Sequence, residues 1–156
     1  MVNATSLNKT FNEVKTVVSL GNGTSTGGTD TLLATDSGKI HLINHNHASA
    51  HTINLPAMAA GLTFKFIFIT DMTAAGTLVI NSADNTAGDF SGMILEQITG
   101  GSNADSATVV IGSHDILTFN DDIDPGSWVE AVCDGSTWHW TGVLSVSALA
   151  LVVSST

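Results

Sequence analysis

The chain has 156 residues, 43 % hydrophobic and 12 % charged, a size and composition that suit one globular domain with a single core. Fourteen acids face four lysines (Lys9, Lys15, Lys39, Lys65) and no arginine, a formal charge of −10 that excludes the basic stripe a nucleic-acid or anionic-membrane binder needs. Lone Cys133 permits no internal disulfide, and no apolar run reaches the ~20 residues of a membrane-spanning helix.

In chain order, Met1 to Lys15 lacks the charged-then-apolar run of a signal peptide and is read as the start of an extended arm. A strand over residues 14–20 follows, then Gly21-Asn-Gly-Thr-Ser-Thr-Gly-Gly28, too glycine-rich to pack, so residues 1–30 form arm plus linker and residues 31–156 the folded domain. Short β-branched runs separated by Gly, Asn, Asp and Ser clusters predict strands at 31–35, 39–44, 51–55, 62–70, 77–81, 92–97, 107–111, 115–119, 127–133, 137–143 and 144–153. No helical period appears, and the fold expected is an all-β antiparallel sandwich or barrel, jelly-roll-like or tulip-like, without an internal repeat. Residues 57–60, between Pro56 and Gly61, read as a loop, and Asp134-Gly135 as a tight hairpin because both residues tolerate positive φ.

In the strand over 62–70, Phe64, Phe66 and Phe68 share one face while Lys65, Ile67 and Ile69 share the other. With both faces largely apolar, the strand belongs in the centre of a sandwich or between subunits. Phe64, Phe66 and Phe68, with Leu149, Leu151 and Val153 of the apolar end, are the expected oligomer contacts. Trp138 and Trp140 share a strand face, so the pair reads either as core or as a stacking platform for a sugar ring.

His41, His45, His47 and His51 fall within eleven residues, all of one parity. Imidazoles gathered by a hairpin can hold zinc, but the spacing matches no standard motif and interleaved Asn44 and Asn46 fit a solvent-facing strand side leading into a turn. Asp121, Asp122 and Asp124 offer oxygens for calcium, yet lack the spaced ligands and closing Glu of an EF-hand loop. No metal or other cofactor is expected. The Gly21–Gly28 run has no phosphate-reaching lysine, no Gly-x-Ser-x-Gly elbow occurs, and Glu13, Glu96 and Glu130 form no carboxylate pair, so an enzyme is not expected.

The runs Asp36-Ser-Gly-Lys-Ile-His-Leu-Ile-Asn44, Thr52-Ile-Asn-Leu-Pro56, Ala60-Gly-Leu-Thr-Phe-Lys-Phe66 and Val132-Cys-Asp-Gly-Ser-Thr-Trp138 resemble small all-β structural modules of tailed bacteriophages, over roughly residues 31 to 142. Such modules occur in capsid decoration (cement) proteins, head fibres and tail-fibre domains. The resemblance implies a virion protein, commonly a homotrimer, on the outer capsid surface, bound to the major capsid protein and clamping it non-covalently, with no catalytic residue to carry over. Val2, Leu7, Phe11, Val14 and Val17 of the arm are then the expected capsid contacts. The alternative is a receptor- or glycan-binding knob of a fibre or adhesin, using Trp138 and Trp140.

Overall fold

The computed structural model describes residues 17–20, 27–72, 76–83, 88–99, 106–148 and 150–155. Its strands are β1 (Val17–Leu20), β2 (Thr29–Thr31), β3 (Ile40–Ile43), β4 (His51–Asn54), β5 (Thr63–Phe68), β6 (Leu78–Asn81), β7 (Phe90–Ile98), β8 (Ser106–His114), β9 (Ile116–Phe119), β10 (Trp128–Cys133), β11 (Trp138–Val146) and β12 (Leu151–Ser154). Among the described residues they form a seven-stranded sheet in the order β1-β3-β5-β10-β11-β7-β8 and a five-stranded sheet in the order β12-β9-β6-β4-β2. The expected all-β sandwich is present.

The pairing is mixed rather than wholly antiparallel. From β1 to β6 successive strands alternate between the two sheets, so each strand meets its sheet neighbour only after the chain has crossed over and returned. That path makes β1, β3 and β5 parallel neighbours, and likewise β2, β4 and β6. The result is a two-sided coil. Val17 lies beside Ile40 and Ile40 beside Lys65, steps of 23 and 25 residues. Thr29 lies beside Thr52 and His51 beside Leu78, steps of 23 and 27. Unequal steps and dissimilar residues hide this structural repeat from the sequence.

The second half closes the sandwich mostly with antiparallel pairs, β7 with β8, β10 with both β5 and β11, and β9 with both β6 and β12, while β7 and β11 pair in parallel. The β10–β11 turn is the hairpin expected. Gly135 has φ of 106°, and Asp134 Oδ1 accepts the backbone N–H of Ser136 and Thr137 at 2.8 Å each. The final run is not one strand from 144 to 153. β11 continues to Val146, and β12 starts at Leu151 in the opposite sheet, because the Glu96 carboxylate accepts the backbone N–H of Ala150 (2.7 Å) and Leu151 (2.9 Å).

Between the sheets, Phe64, Phe66 and Phe68 of β5 alternate inward. They meet Trp138 (5.6 Å between ring centroids with Phe64), Trp140 (6.3 Å with Phe66) and, across the sandwich, Phe119 (5.4 Å with Phe68). Ile53, Leu78, Ile80 and Leu117 complete the opposite wall.

At the coil corners the backbones approach closely. A Cβ on Gly27 would overlap the carbonyl oxygen of Ala50, and one on Gly76 would overlap that of His47. A side chain there forces adjacent coils apart. Gly76→Ala is therefore expected to lower the unfolding free energy by roughly 1–3 kcal/mol, the usual cost of overpacking, read by urea denaturation; an unchanged midpoint would contradict the close-packed corner.

Candidate interaction surface

Phe64, Phe66 and Phe68 are wholly buried within their own chain, which corrects their assignment to a subunit contact: they have no surface left to offer. The same holds for Leu151, while Val153 is partly buried against the core and Leu149 lies outside the described residues. Trp138 and Trp140 are 0 % and 2 % exposed, so they are core rather than a sugar platform. Trp140 also stands edge-on to Phe90 at 5.3 Å. Val2, Leu7, Phe11 and Val14 lie outside the described residues, whereas Val17 opens β1.

The histidines do not face solvent. β3 turns its odd-numbered side inward, so His41 is buried with its ring 5.6 Å from that of Phe64 and 5.4 Å from that of Phe66. His45 and His51 are also buried, their rings 5.7 Å apart, and His51 Nε2 lies 2.9 Å from Asp30 Oδ2. Half-buried His47 accepts the Ser49 backbone N–H at Nδ1. No group of three or more potential ligands gathers for a metal ion among the described residues.

Other ionisable groups serve the fold. Asp124 accepts hydroxyl hydrogen bonds from Ser145 (2.7 Å) and Thr99 (3.3 Å), tying the acidic turn to the ends of β11 and β7. Neighbouring Asp122 takes a positive φ of 76°, a conformation Asp tolerates. Exposed Asp134 is held well below the usual carboxylate range, first by His139 Nε2 at 2.8 Å and then by the Ser136 and Thr137 donors. Cys133 is buried. Glu96, read in the sequence only as a carboxylate without a partner acid, has a structural role whose sole signal was an acid at an inward position of an alternating strand.

What remains outward is the far face of the seven-stranded sheet. Register places Leu42, Ile67, Trp128, Val143 and Leu95 side by side on five adjacent strands. A second row holds Ile40, Lys65, Glu130, Thr141 and Met93, and a third Thr63, Val132, His139 and Ser91. Leu95 is 41 % and Met93 57 % exposed, while Leu42, Ile67, Trp128 and Val143 are half-buried. Lys65 Nζ sits 4.4 Å over the Trp128 ring and 3.8 Å from Glu130 Oε2, so the acid and base of the second row neutralise each other. No protein-family model, curated protein or solved structure matches the chain.

Burial lowers the pKa of His41 below the ordinary imidazole value, outweighing the opposing pull of the Lys65 backbone and the Asp36 carboxylate. His45 is lowered likewise, by burial and then by His51 and His47. A depressed folded-state pKa means the unfolded chain takes up the proton first. The neutral rings' contribution is thus complete above the unfolded value near ~6.5 and is lost progressively as pH falls below it. Stability is expected to decline from pH about 6.5 towards 5, by up to ~1.4 kcal/mol per pH unit for each group, and less steeply in His41→Phe. Urea midpoints measured across that range check this, and parallel profiles for wild type and variant would contradict it.

Proposed function

We propose that the chain is a structural protein of a tailed-phage particle, a decoration (cement) protein that seats on the outer surface of the head and reinforces it through non-covalent contacts. The observation that carries this reading is the position of β1. Val17–Leu20 pairs with β3 at the edge of the seven-stranded sheet, so the chain preceding it joins a rigid sandwich at its rim. Residues 1–16 carry Val2, Leu7, Phe11 and Val14, the proposed contacts with the major capsid protein.

Two further points support it. The four motifs that resemble phage modules fall on β3, on β4, on the turn into β5, and on the β10–β11 hairpin. The acid-rich, arginine-free composition keeps such a protein off packaged nucleic acid. A protein that binds assembled shell in preference to free subunits stabilises the shell by mass action and requires no chemistry. The glycan-knob alternative loses its platform to the burial of Trp138 and Trp140.

The expected result is that purified particles of the encoding phage contain hundreds of copies of the chain, quantified by mass spectrometry against the major shell protein. A chain lacking residues 1–16 should fold but fail to co-sediment with shells. A few dozen copies or fewer would indicate a fibre component, and absence from particles would overturn the reading.

A further inference from the structure

We infer that the outer face of the seven-stranded sheet binds a second copy of this chain, face to face about a twofold axis through Trp128. The argument is independent of the capsid reading and starts from charge. A chain of net charge −10 repels its own copies, so self-association requires a contact face free of uncompensated acid. Across the three rows the ionisable groups are Lys65, Glu130 and His139. Lys65 is paired with Glu130, and His139 with Asp134.

The second observation is the composition of the row that holds Trp128. Read across the strands it runs Leu42, Ile67, Trp128, Val143, Leu95: leucine at each end, a β-branched residue inside each, and the aromatic in the middle. A twofold axis lying in the interface, passing through Trp128 and running along β10, returns each row onto itself in reverse. Trp128 then meets Trp128 and apolar side chains meet apolar side chains along the whole row, which is the self-complementarity that an isologous contact demands. Lys65 already covers one face of the Trp128 ring, leaving no unpaired cation at the centre.

Five strands about 4.8 Å apart and three rows about 6.6 Å apart give a patch of roughly 24 by 20 Å. Its projected area is on the order of 500 Å², below the ~800 Å² per partner of a standard interface, so the dimer is a small-interface one. Two sheets stacked this way sit ~10 Å apart with strands rotated by about 30°, as in ordinary sandwiches.

Sedimentation velocity of the full chain from about 1 to 100 µM tests the inference. The expected result is a shift from the 16.1 kDa monomer to a species of twice that mass. Ile67→Lys should abolish the shift, and Leu33→Lys, at a 60 % exposed leucine beside the other sheet, should leave it unchanged. Should Ile67→Lys fail to fold, Leu95→Lys at the more exposed end of the row replaces it. A wild-type chain monomeric throughout, a trimer, or a dimer that survives the row substitutions would each overturn the inference. So would a monomeric chain that dimerises only after residues 1–16 are removed, since the chain's own N-terminal segment would then cover the face.

Discussion

The inward stripe of β5, Phe64, Phe66 and Phe68 against Trp138, Trp140 and Phe119, is the packing contact on which the rest of the molecule depends. Removing any one of these rings would leave a cavity costing roughly 3–5 kcal/mol. Because side chains along a strand alternate with a period of two, seating the phenylalanines inside sends Lys65 and Ile67 outward at the same time. Parallel register with β3 then carries His41 into the aromatic layer and Leu42 onto the outer row. One parity choice therefore yields the core, the buried imidazole and the apolar face together.

The coil of the first six strands turns that choice into a rigid body. Each passage from one sheet to the other adds a strand to both walls, and the corners stack closely enough to require glycine at 27 and 76. A small acidic domain without disulfides holds its shape this way with few charges. Two of its carboxylates tie the fold together, Asp124 by accepting from two hydroxyls and Glu96 by accepting from two backbone N–H groups. The fold leaves a broad sheet face and a sheet rim at the surface.

Much of this was legible in the residues. The β-branched runs located nearly every strand, Asp134-Gly135 located the hairpin, and the two apolar faces of the strand around Phe66 were visible as an alternation. The direction of pairing was not, because parallel neighbours in a coil are 23 to 27 residues apart and share no common pattern for the eye to match. Histidine parity was read the wrong way round, since the histidines are polar and Asn44 and Asn46 interleave the later ones, yet the rings beside His41 are phenylalanines. The expected subunit contact fell on side chains that the fold buries inside the chain itself. The role of Glu96 was not legible because the backbone N–H groups it accepts, at Ala150 and Leu151, lie more than fifty positions away.

The parity of β5 is tested most directly by comparing the unfolding free energies of Phe66→Ala and Ile69→Ala in the same buffer at low protein concentration. Phe66 is fully buried and Ile69, just past the strand end, is 45 % exposed. The account predicts a loss of roughly 3–5 kcal/mol for the first and under about 1 kcal/mol for the second. Equal losses, or a larger loss at Ile69, would contradict it.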